Sequence, residues 1–243
     1  NNFTIKKMYK TQKSYITKDK KMLDLINENY SLLLCLQHFD IDFSVDNSTV
    51  EQLCVENKIN LNAFIVIANL YNGFFPVDDE INKIDNIKPI LHFLKKSHSF
   101  YIEVKYPELK YYLEKIKNVH TSRDFQLIEQ FFNDYFEEVL EHLKYEDDIA
   151  FPYFFSLERK DKITQSKSFS AKEYRNHHTD IETKLTDLKN LFLKHIKIKS
   201  DLNVKRKFLN TLFGLEFDLK IHSVIEEKVL IPLIERIENE QNE

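Results

Sequence analysis

The 243-residue chain is long enough for one large domain, or for a small domain followed by a medium one. Two glycines and five prolines leave few places to break a helix, and abundant Lys, Glu, Leu, Ile and Asn point to an all-α fold. The net charge is −4, and its 35 basic residues are dispersed without a stripe, which argues against a nucleic-acid or membrane-surface footprint. The longest apolar runs, Leu32–Leu36 and Ala63–Ala68, are far too short to span a bilayer. The polar stretch Asn1–Lys21 carries no signal-peptide h-region. Cys35 and Cys54 form neither a CxxC motif nor a disulfide-scaffold pattern, and they read as buried thiols in a reducing compartment. The expectation is a soluble cytoplasmic protein.

In chain order, Met22–Phe39 has apolar residues at helical spacing and ends in the loop Asp40–Asn47. Ser48-Thr-Val-Glu51 predicts a capping box that opens a helix through about Val55. Asn62–Tyr71 predicts a third helix, stopped by Asn72-Gly73 and Pro76. These define a small helical N-terminal domain over residues 1–76, followed by an acidic linker, Val77–Asn86. Residues 85–240 then hold four long helical patterns: A from about Asp85 to Val119, B over Asp124–Ala150, C over Ala171–Ile196 and D over Val204–Ile237. Pro107 is expected to bend A. Short turns near 120 and 200 make A antiparallel to B, and C antiparallel to D, in an up-down-up-down four-helix bundle.

His142-Leu-Lys-Tyr-Glu146 recurs as His222-Ser-Val-Ile-Glu226, and each copy has a histidine 44 positions upstream, His98 and His178. Each also has a proline ten residues after its histidine, Pro152 and Pro232. The residues fall on inward stripes: Tyr135, Val139, His142, Glu146, Ile149 on B; Tyr174, His178, Ile181, Leu185, Leu188 on C; Leu215, Leu219, His222, Glu226, Val229 on D. Residues i and i+4 share a helix face, so each His-x3-Glu pair can converge on one centre. Buried carboxylates are strongly disfavoured without a cation. The 44-residue arm sets each upstream histidine at the height of its partner about the intervening turn. Four histidines and two glutamates then meet in one layer, balanced for two metal ions with the carboxylates as bridges.

The other histidines fit less well. His120 lies at the A–B turn, His92 and His195 read as packing or surface residues, and His38 belongs to the N-terminal region. His177 points about 100° from His178 and suits a pocket role. Glu182 completes a third His-x3-Glu without the matching proline or upstream histidine, and reads as a partner of an imidazole or as a surface residue. Spacing alone leaves the metal open, since manganese or zinc accepts similar ligands.

The four helix motifs are Ser97-His98-Ser99-Phe100-Tyr101 with Tyr106-Pro107; His142 to Pro152; His178-Thr-Asp-Ile-Glu182; and His222 to Pro232. They resemble the hemerythrin-like domain. More closely, the chain over about residues 19–235 resembles the di-iron repair-of-iron-centres family, known for iron–sulfur cluster repair under nitrosative and oxidative stress. The resemblance implies two Fe ions held by His98, His142, Glu146, His178, His222 and Glu226. It implies a diatomic ligand, NO or O2, and damaged iron–sulfur proteins as partners, with no nucleic acid and no membrane. Phe39-Asp-Ile-Asp-Phe43 and Ser48-Thr-Val-Glu-Gln-Leu-Cys54 resemble the family's N-terminal domain. There a Cys-Cys-Gly-Gly loop follows, and here Ser44, Val45, Asp46 and Asn47 stand in its place. Oxygen-carrying hemerythrins have a histidine where this chain has Glu182, which lowers the oxygen-carrier reading. Cluster repair is thus the leading expectation, an O2 or NO sensor or binding module the second, and a metal-free helical scaffold the third. Whether the chain is an enzyme and its oligomeric state are not legible in the sequence.

Overall fold

A computed structural model describes residues 13–118, 123–158, 170–177, 181–197 and 201–242, excluding the side chains of residues 124, 176, 177, 181–183 and 242. All regular elements among the described residues are helices, and the one strand-like feature is an isolated bridge, Lys21 to Thr49. They fall into two compact units, Asn1–Pro89 and Ile90–Glu243. No described helix is long and apolar enough to cross a membrane.

The first unit contains α1 (Met22–Glu28), α2 (Leu32–His38), α3 (Val50–Glu56), α4 (Leu61–Tyr71) and α5 (Asp78–Ile81). The predicted single helix over Met22–Phe39 is two, because buried Asn29 turns its side chain to other partners. Its amide nitrogen donates to Tyr71 O (3.0 Å) and Asn72 Oδ1 (2.8 Å), and its Oδ1 accepts from Ser31 N–H. The cap of α3 lies one residue later than predicted. Thr49, not Ser48, accepts from the Gln52 N–H, and the Gln52 side chain accepts from the Thr49 N–H. Helices α2, α3 and α4 close on left-handed residues Asp40, Lys58 and Gly73, with the following N–H bonded back five residues to Leu36, Cys54 and Asn69. Asn69 in turn pairs with both backbone groups of Ile16, at 2.8 and 3.0 Å, and so fastens the entering segment. The stretch expected to be a linker is folded: it forms α5, and Ile81 and Ile84 are buried. This compact unit runs to Pro89.

Among its described residues, the second unit contains three long helical runs and two shorter helices. The first run is α6 (Lys88–Phe100), a π turn (Tyr101–Lys105) and α7 (Tyr106–Lys117). The second is α8 (Arg123–Tyr145), a π turn (Glu146–Ala150) and α9 (Phe151–Glu158). The shorter helices are α10 (Ala171–His177) and α11 (Ile181–His195). The third run is α12 (Leu202–Ile225), a π turn (Glu226–Leu230) and α13 (Ile231–Asn242). α12 packs along α7 and α11, and α11 along α8. Aromatic rings fill the seam: Tyr106 stacks on Phe136 at 4.5 Å, Phe132 lies against Phe136 at 4.7 Å, and Phe192 against Phe208 at 4.5 Å.

Pro107, Pro152 and Pro232 do not end their helical runs. Each follows directly on a π turn closed by a bond spanning five residues: Tyr106 N–H to Tyr101 O, Phe151 N–H to Glu146 O and Ile231 N–H to Glu226 O. Proline lacks an N–H, and its ring clashes with the carbonyl four residues back. A wider turn relieves that clash and lets the helix continue. The extra residue also shifts the phase of the buried stripe. Ile149, predicted to face inward, is 49% exposed, while Ala150 is fully buried. The shift makes a prediction. Ile149→Asp should change stability by less than about 0.5 kcal/mol, while Ala150→Asp, which buries an unpaired charge, should cost about 3 kcal/mol or more, both read by chemical denaturation.

Candidate metal centre

The histidine at the end of α6 and the two His-x3-Glu units meet in one buried layer of the second unit. Among the described residues, His98, Glu146 and His222 form a group that could hold a metal ion, with ligand atoms all within 4.8 Å of one another. His98 Nε2 is 3.3 Å from both His222 Nε2 and Glu146 Oε2. His222 Nε2 is 3.3 Å from Glu226 Oε1, and His142 Nε2 is 3.2 Å from Glu146 Oε1. Donors bound at about 2.1 Å to one ion, at right or tetrahedral angles, stand roughly 3.0–3.4 Å apart. The observed separations have that size. Glu146 faces two histidines, with Oε2 towards His98 and Oε1 towards His142.

The histidines are aimed from behind. Ser97 Oγ lies 2.7 Å from Leu94 O, to which it donates, and 2.8 Å from His222 Nδ1. That contact holds the ring with its Nε2 facing the centre, and with the Nδ1–H tautomer the Nε2 lone pair is free for a metal ion. His98 Nδ1 lies 3.2 Å from the Asp147 carboxylate, and its Nε2 faces Glu146 and His222. The His98 ring stacks on Phe151 at 5.4 Å, which fixes its plane. Beyond Ser97, the buried Tyr101 hydroxyl sits in hydrogen-bond reach of Ser97 and of buried Asp218. Burial, then the charge of Asp218, pushes that hydroxyl well above its ordinary range. Tyr174 from α10 donates toward Glu146 Oε1 (2.8 Å) and Glu226 Oε1 (2.6 Å).

Burial alone would drive His98 to its neutral form, yet the hydrogen bonds and charges of Asp147 and Glu146 outweigh it and raise its pKa to about 9. The layer therefore demands positive charge, which a proton on His98 supplies when no metal does. The donor set suits a metal ion on the same ground: Glu146 Oε2 is fully enclosed and faces the His98 imidazole nitrogen at 3.3 Å.

Comparison with protein-family models finds no match for this chain, and comparison with curated proteins finds none either.

Of the six sequence-predicted ligands, His98, His142, Glu146, His222 and Glu226 are brought together, and His178 lies outside the described residues. His120 and the side chains of His177 and Glu182 lie outside them as well. His92 and His195 are exposed, and His38 is buried in the first unit. Sequence reasoning missed Asp147, Ser97, Tyr101 and Asp218 as supports of the layer. Asp218 carried a legible signal, since it stands four residues before His222 on the same helix face. Ser97 and Asp147 carried none, because each is adjacent to a ligand and its direction depends on a neighbouring helix.

The sign of the pH dependence is set by His98. Its pKa in the folded, metal-free chain is raised to about 9 from an ordinary 6.5, so its stabilisation is complete below about 6.5 and is lost as pH rises through about 9. With chelator present, unfolding free energy should fall across that window by an amount of order 3 kcal/mol, and His98→Gln should flatten the profile.

Proposed function

We propose that the second unit is a hemerythrin-like four-helix domain holding a non-haem di-iron centre, and that the protein acts in iron–sulfur cluster repair under nitrosative or oxidative stress. His98, His142, Glu146, His222 and Glu226 would hold the metal, together with His178 of the sequence motif. The observation that carries this reading is Glu146, buried and with one oxygen toward each of two histidine foci. Bound iron would supply an open position for NO or O2 and one-electron chemistry. The chain's own residues would do the rest. Ser97 and Asp147 would hold the imidazoles on one tautomer, and Phe151 would exclude water from the His98 face.

The first unit favours a second reading, an NO or O2 sensor or binding module without repair activity. Ser44–Asn47 supplies no thiol, and both cysteines are buried. Burial pushes the Cys54 thiol up to about 12, which leaves it a poor nucleophile. Reversible gas binding without restoration of a damaged cluster would select this reading over repair.

Iron content tests the common ground. Anaerobically purified chain should carry about two iron ions, which His142→Ala and His222→Ala should each reduce. Clearly less than about one iron per chain, unchanged in His142→Ala, overturns the proposal. A thiol-reactive probe at neutral pH should leave Cys54 unlabelled until the chain is denatured.

A further inference from the structure

Tyr174 has no part in the ligand set, yet it touches two of its members. Its hydroxyl is 2.8 Å from Glu146 Oε1 and 2.6 Å from Glu226 Oε1, and its ring is buried edge-on against Phe154 at 5.2 Å. The two glutamates are 80 residues apart in sequence, on the second and third helical runs. Each is the first residue of a π turn. Backbone geometry there departs from the α ladder, so the helix does not by itself define where the carboxylate points. A phenol has one proton and can donate fully to only one carboxylate at a time. Two carboxylate oxygens drawn to one buried hydroxyl repel each other unless positive charge lies on their other side. In Glu146 that other side is Oε2, which faces His98.

Resting on the di-metal reading, we propose that Tyr174 is a positioning residue. Its hydroxyl ties the carboxylates of Glu146 and Glu226 together and sets which oxygen of each is turned toward the ions, so that two ions are held as a coupled pair. It acts through the glutamates and needs no contact with metal or gas. Tyr174→Phe keeps the ring and its packing on Phe154 and removes only the oxygen.

Anaerobic titration of the full chain with Mn(II), followed by calorimetry and electron paramagnetic resonance, tests this. Wild type should take two equivalents and show the spectrum of an exchange-coupled pair. Tyr174→Phe should bind its second equivalent about 10- to 100-fold more weakly, and at two equivalents should show mainly isolated Mn(II). Phe154→Leu, which loosens the ring and leaves the hydroxyl, should keep the pair spectrum. Two equivalents and an unchanged pair spectrum in Tyr174→Phe overturn the role of Tyr174 while leaving the metal site standing. Loss of the pair in both variants assigns the effect to packing and also overturns it. A Tyr174→Phe chain that does not fold assigns the hydroxyl to the fold rather than to the ions, and overturns it too. Wild type that binds no Mn(II) overturns the metal reading itself, and the role of Tyr174 with it.

Discussion

The second unit is organised around a charge that cannot be left alone, the carboxylate of Glu146. It is enclosed by protein on every side, and its oxygens face the imidazoles of His98 and His142 rather than backbone donors. Taking a carboxylate out of water is expensive, and only matching positive charge offsets it. A metal ion can supply that charge, and so can a proton on His98. Asp147, Ser97 and Tyr174 make sense as responses to this constraint, since each fixes the direction of a group that must face the same small volume.

The π turns show how the helices meet that demand without being cut short. Three prolines would be expected to bend or end helices, yet each is carried by a widened turn. Two of those turns begin at Glu146 and Glu226. The same widening that accommodates the proline places the glutamate where the helix is least constrained, and a residue from another helix, Tyr174, then supplies the restraint. The widened turn also rotates the residues after Glu146 about the helix axis, and for that reason Ala150 rather than Ile149 joins the core.

The first unit is held by different means. Asparagine side chains bond the backbone of Ile16 and Tyr71, the Asn29 amide also donates to the Asn72 side chain, and three helices close on left-handed residues. Its cysteines are buried, so any chemistry in that unit must be sought elsewhere than in accessible thiols.

Periodicity and repetition in the sequence were enough to specify an all-helical class and to mark the inward faces carrying His142, Glu146, His222 and Glu226. Those features are local: a 3.6-residue period and an i, i+4 pair are written in consecutive residues. The 44-residue arm also made relative height legible, because helix rise is constant. Only tertiary structure decided the rest. The phase slip at Ile149, the break at Asn29 and the shifted cap at Thr49 each depend on how one chosen hydrogen bond competes with another. The roles of Ser97, Asp147 and Tyr174 depend on side chains arriving from other segments, as when a seven-residue helix brings one hydroxyl to two carboxylates that the sequence keeps far apart.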